Sequence, residues 1–228
     1  MPQPLAEMDP RDARRDEFAA AANRDIPAPE MDERDRVFAE VLRECIAVLD
    51  GSGVHYGLIG GIASSGYGRP RWTHDVDILC RPEDANRILW ALGGHGFRTE
   101  KTDPVWLFKA FKRDILVDII FQSHGGIYLD PEMDAHIVRH EVHGVNVPLV
   151  GPEDLLIMKA VVHDERGPRH WHDALGLIAA YKLDWSYLER RALRAPRRVL
   201  SLLVYAHSLD LYVPNAVIRT LYDRVYES

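Results

Sequence analysis

The sequence predicts an α/β (α+β) protein: a core with a mixed β-sheet flanked by helices, followed by a helical C-terminal region. Three observations predict it. Between residues 54 and 150, short apolar runs rich in β-branched and aromatic residues alternate with glycine-rich or polar turns. From Pro152 onward the apolar spacing becomes helical. Residues 1–30 follow neither pattern and hold five of the fourteen prolines among charges of both signs. The chain therefore divides into a flexible N-terminal tail (1–30), a core (31–150) and a helical region (151–228).

Within the tail, Asp12 to Asn23 has the composition of a short helix, and Pro27-Ala28-Pro29 cannot continue it. Met31 to Leu49 places Val37, Phe38, Val41, Leu42, Cys45, Val48 and Leu49 on one helical face, ended by Gly51 and Gly53. Val54 to Ile59 reads as a strand broken by Gly60-Gly61, and Ile62 to Tyr67 as a short helix. Asp75 to Cys80 reads as a strand entering the sheet, and Pro82 to Leu92 as a helix with proline at its start. Val105 to Phe111 and Ile115 to Phe121, joined by Lys112-Arg113-Asp114, read as a hairpin. A last strand covers Val145 to Val150. Helices are expected over Glu153–His163, His170–Tyr181, Trp185–Leu193, Pro196–Leu211 and Pro214–Tyr226.

Composition excludes several classes of function. The 28 basic and 35 acidic residues leave a net charge of −7, which argues against coating nucleic acid by bulk charge. No apolar run is long enough for a membrane helix, and the polar N-terminus lacks a secretory core, so a cytoplasmic protein without a membrane partner is expected. The two cysteines, Cys45 and Cys80, are expected to be buried thiols.

Three pieces carry chemistry: Gly60-Gly61 after a strand, Asp75-Val76-Asp77-Ile78 thirteen residues later, and Asp118 inside the apolar run Ile115 to Phe121. Side chains at i and i+2 of a strand share a face, so Asp75 and Asp77 stand side by side. Two like charges that close need a cation between them, and hard carboxylate oxygens suit Mg²⁺. Asp118 is too costly to bury alone and joins them if its strand is adjacent. Three such carboxylates can hold two metal ions, the clamp used for phosphoryl transfer. The glycines let backbone approach a ligand closely, and Ser64 and Ser65 offer hydroxyl donors beside them.

This order of pieces resembles the DNA polymerase β-like nucleotidyltransferase superfamily. The lead-in Arg71-Trp72-Thr73-His74-Asp75 resembles its bacterial minimal, antibiotic-modifying and toxin-type members, as does the helix Pro152-Glu153-Asp154-Leu155 to Lys159. Arg169-His170-Trp171-His172-Asp173 matches the segment that usually follows only in part. The resemblance covers roughly residues 35–180. It implies a nucleotidyltransferase core that moves NMP from an NTP to a hydroxyl acceptor and releases pyrophosphate. It further implies that Asp75, Asp77 and Asp118 bind two Mg²⁺ ions, with Asp118 also deprotonating the acceptor. Gly60, Gly61, Ser64, Ser65, Arg71 and Lys159 would hold the nucleotide, ATP being the default. The acceptor stays open between a small molecule such as an antibiotic, a tRNA end and a protein side chain, and a cognate antitoxin partner also stays open.

Plainer readings stand beside these. A catalytically silent nucleotide-binding or regulatory protein would keep the fold without turnover. His170, His172 and Asp173 would serve a metal-dependent phosphohydrolase. His136, His140 and His143 repeat at helical spacing but lack the partners of a zinc motif, and read as solvated. Residues 165–200 hold eight basic against four acidic side chains, either a solvated helical face or a surface for an anionic acceptor such as RNA. Trp72, Trp106, Trp171 and Trp185 are candidates for base stacking or for core.

Overall fold

The computed structural model describes residues 32–68, 73–164 and 167–227. The expected tail and its helix, together with Arg71 and Trp72, lie outside the described residues.

Helix α1 (Glu33–Ser52) starts at a reciprocal cap. Asp32 Oδ1 accepts the Asp35 N–H at 2.9 Å, and Asp35 Oδ2 accepts the Asp32 N–H at 3.1 Å. Its apolar face is buried, and it ends where Gly53 adopts φ +65°. The strands β1 (Tyr56–Leu58), β2 (Asp75–Cys80), β3 (Arg98–Asp103), β4 (Leu107–Lys112), β5 (Ile115–Ile120), β6 (Val138–Val142) and β7 (Val145–Leu149) form one sheet in the order β3-β4-β5-β2-β1-β7-β6. The sheet is mixed, as expected: β2 runs parallel to β5 and β1 to β7, and the remaining neighbours are antiparallel. Helices α2 (Gly60–Gly66), α3 (Ala85–Gly94) and α4 (Pro131–Ala135) lie in the connections.

The expected hairpin forms. Arg113 and Asp114 both take positive φ in the two-residue turn between β4 and β5, which the right-handed twist of paired strands favours. Cys45 and Cys80 are buried free thiols, and burial pushes the Cys45 thiol up to about 12 and raises that of Cys80. Neither is therefore a thiolate at neutral pH.

Two strands carry no readable sequence signal. β3 (Arg-Thr-Glu-Lys-Thr-Asp) is polar and almost wholly exposed. It is held by pairing with β4 and by Arg98 lying 4.0 Å over the Phe111 ring, and as a charged edge strand it resists pairing with other chains. β6 falls where the histidine spacing looked helical. There His140 packs edge-on against Tyr67, and His143 and Gly144 make the positive-φ turn into β7. His136 ends α4 and stacks on Tyr187 at 3.9 Å. The three histidines are thus packed against rings or placed in a turn, not spread on a solvated helix. Pairing with β7, which runs into the core, outweighs a spacing shared by polar residues alone.

The C-terminal helices are α5 (Pro152–Val162), α6 (Arg169–Ala180), α7 (Trp185–Ala192), α8 (Pro196–Ser208) and α9 (Asn215–Tyr226). Their apolar faces join the same buried cluster as the sheet. Helix α5 is buried on nearly every side over 152–160, packed against α6, α7 and α8. It carries three ionisable groups inward, and each has partners. Glu153 Oε1 accepts the Asp184 N–H at 2.7 Å. Asp154 accepts from Arg191 Nε at 2.8 Å and from the Tyr187 hydroxyl. Lys159 Nζ lies 2.8 Å from Asp173 Oδ2.

Arg191 pins α7 to two other elements. Its Nη1 lies 2.8 Å from Asp130 Oδ2, and Asp130 also caps α4 and takes Arg194 at 2.6 Å. Arg190 pairs with Glu132 at 2.8 Å. Three of the basic residues expected to offer a charged surface are thus engaged within the protein. Arg191→Met leaves Asp154 buried without its cation and Asp130 with Arg194 alone, so the variant should lose about 3–5 kcal/mol of unfolding free energy in a urea titration.

Candidate active site

The three acids stand on one face of the sheet. β2 and β5 are parallel neighbours in which Asp77 is the register partner of Asp118, and Asp75 lies two residues before Asp77. All three line one cleft of about 310 Å³. Leu155, Met158, Lys159 and Val162 of α5 form one wall, while Trp106, Ser123, His124, Arg169 and His170 complete the rim.

The glycine pair faces the acids because β1 pairs antiparallel with β2. The Ile59 N–H donates to the Asp77 carbonyl at 3.0 Å, which sets Gly60 directly over Asp77. Gly60 has φ +65°, and a Cβ there would fall on Asp77 Oδ2, far inside contact distance. Both the backbone conformation and the space thus demand glycine. The Gly60 carbonyl accepts from Ser64 Oγ at 2.9 Å and from Lys159 Nζ at 3.2 Å.

Each acid has its own surroundings. The buried Thr73 hydroxyl donates to Asp75 Oδ1, giving this residue, two positions before the strand, a positioning task. Asp118 Oδ1 is buried without a hydrogen bond, its nearest cation being Lys109 Nζ at 3.4 Å. Burial raises the Asp118 carboxyl above the ordinary carboxylate value, opposed by the Lys109 charge and helped by the charge of Asp75.

The other expected site residues divide. Gly60, Gly61 and Lys159 line the cleft. Ser64 is buried with its hydroxyl turned to the Gly60 carbonyl, and neither it nor Ser65 lines the cleft. Lys159 lies at the back of the cleft with its ammonium committed to Asp173 and Gly60, so holding the glycine turn is its visible task. His170 reaches the rim, whereas His172 is exposed and Asp173 is fully buried against Lys159, so these three form no common site. Of the tryptophans among the described residues, Trp106 lines the cleft. Arg169, His124 and Lys109 are contributions that sequence reading did not assign to the site. Arg169 lay in a motif matched only in part, and the place of Lys109 follows from strand register alone.

Among the described residues, no group of three or more histidine, cysteine or acidic side chains is arranged to enclose a metal ion by itself. The donor set still fits Mg²⁺, which takes one or two carboxylates and completes its shell with water and substrate phosphates. Asp75 and Asp77 on one face supply such a pair.

The buried pair at the back of the cleft can be tested directly. Lys159→Met leaves Asp173 fully buried with its cation removed, and should destabilise the fold by about 3–5 kcal/mol in a denaturant titration followed by circular dichroism. Unchanged stability would make the pair dispensable to the fold.

No curated protein matches the chain. Among solved structures, the antibiotic-resistance factor ANT(2'')-Ia shares its fold: 18% sequence identity, covering 77% of this chain and 94% of that one, with a TM-score of 0.51. The lincosamide antibiotic adenylyltransferase LnuA in its lincomycin-bound form gives 14% identity, 64% and 96% coverage and a TM-score of 0.43. An antigenic nucleotidyltransferase-like protein from Paracoccidioides brasiliensis gives 14% identity, 86% and 97% coverage and a TM-score of 0.48. No helix among the described residues is long and apolar enough to cross a membrane. Residues 30–209 match the sequence profile of the family described as an uncharacterised nucleotidyltransferase, and the chain belongs to that family of transferases.

Proposed function

We propose that the protein transfers a nucleoside monophosphate from an NTP to a hydroxyl on a small acceptor molecule and releases pyrophosphate. The observation that carries this reading is the placement of Asp75, Asp77 and Asp118 on one face of adjacent strands, opposite the Gly60-Gly61 turn, in one cleft. Asp75 and Asp77 would hold Mg²⁺, which when bound neutralises charge on the phosphates. Thr73 fixes Asp75 in place. Gly60 and Gly61 present backbone without side chains, so a polyphosphate can approach closely. Asp118, raised by burial, is the group to accept the proton of the acceptor hydroxyl, since a base with an elevated pKa takes a proton more readily. Arg169 at the rim adds a guanidinium to the cleft beside His170, and Trp106 offers a ring face to a base.

A small acceptor is favoured over RNA for two reasons. The cleft is at the scale of small-ligand pockets, and Arg190, Arg191 and Arg194 are engaged with Glu132, Asp130 and Asp154 instead of forming an open basic track.

The test is pyrophosphate release from labelled NTPs, ATP first, with Mg²⁺ and a panel of hydroxylated small molecules. Asp118→Asn should lower turnover by about 10²–10⁴-fold while nucleotide affinity persists, the range of a lost general base. Asp77→Asn should abolish Mg²⁺-dependent nucleotide binding measured by calorimetry. Full activity in both variants would overturn the assignment. Gly60→Ala should lower turnover as strongly as Asp77→Asn, because the added methyl displaces that carboxylate, and should also cost about 1–3 kcal/mol in backbone strain.

A further inference from the structure

Three carboxylates on one face invite the expectation of two divalent cations, one shared by Asp75 and Asp77 and one drawn toward Asp118. The surroundings of Asp118 point elsewhere. Lys109 on β4 is its register partner across the β4–β5 ladder, so the two side chains stand on the same face. Lys109 Nζ lies 3.4 Å from Asp118 Oδ1, with the two side chains only 26% and 18% exposed. That oxygen accepts no hydrogen bond, so the ammonium is the cation it faces. On its other side Lys109 is in register with Glu100 of β3, an exposed carboxylate 3.9 Å from Arg98, while its same-face neighbours along β4, Leu107 and Phe111, are apolar. The pairing is set by two adjacent strands, not by a surface loop.

We propose that the Lys109 ammonium occupies the place at Asp118 that a second divalent cation would take, so that the chain holds one metal ion with its nucleotide. This rests on the nucleotidyltransferase reading above and deepens it. With Asp118 facing an ammonium, a single divalent ion remains to be shared by Asp75 and Asp77. A fixed ammonium is a compact point charge and brings its compensation without waiting for a metal to bind. Metal chemistry is thereby restricted to Asp75 and Asp77, and Asp118 keeps its other oxygen, Oδ2, for the acceptor.

The experiment counts Mn²⁺ bound per chain by electron paramagnetic resonance, with a saturating non-hydrolysable ATP analogue. Wild type should bind one ion. Lys109→Met and Lys109→Gln should each bind two, since Asp118 is released, whereas Lys109→Arg should stay at one. Asp118→Asn should also stay at one, because that carboxylate does not hold the ion. Two ions in wild type, one ion in the uncharged Lys109 variants, or loss of the ion in Asp118→Asn would overturn the proposal. If wild type bound neither Mn²⁺ nor the analogue, the nucleotidyltransferase reading itself would fail, an outcome distinct from a wrong ion count.

Discussion

The ammonium of Lys159 sits where the helical region meets the sheet, 2.8 Å from Asp173 on α6 and 3.2 Å from the Gly60 carbonyl at the head of α2. A buried charge whose partner is displaced costs several kcal/mol, so α5, α6 and the glycine turn favour the arrangement that satisfies it. Gly60, so held, rests on Asp77, whose strand is in register with that of Asp118. The geometry of the cleft therefore descends from one ion pair behind it, through a glycine without room for a side chain, to the carboxylates in front.

Those carboxylates mark a second constraint. Acids on one face of adjacent strands repel, and groups from neighbouring elements oppose that repulsion. The Thr73 hydroxyl donates to Asp75, and Lys109 faces Asp118. By contrast, the ionised groups of the helical region are closely matched, with Arg191 bridging Asp130 and Asp154 and Arg194 also on Asp130.

Much of the chemistry was legible because it resides in local pattern. Gly-Gly after a strand, Asp-x-Asp on a strand and an acid within an apolar strand each have a meaning that spacing alone conveys, and the structure brings all three to one cleft. The C-terminal helices were equally legible, since apolar spacing and prolines at helix starts fixed them to within a few residues. What escaped reading lacked local signal. β3 has no apolar alternation, and β6 carried histidines at a helical spacing that pairing with β7 overruled. Ser64, Ser65 and Lys159 looked alike as polar neighbours of a phosphate site, yet two of these three side chains turn to the Gly60 carbonyl.

By itself, then, the sequence determined the mixed α/β core, the helical region after residue 150, and the glycine and aspartate positions, because residue type and spacing set backbone conformation and the face each side chain takes. The tertiary structure decided which charges neutralise one another. Lys159 with Asp173, Lys109 with Asp118 and Arg191 with Asp130 and Asp154 are pairs between different elements, made by strand register and helix packing. Electrostatic partnership depends on distance in space, and spacing along the chain does not encode it.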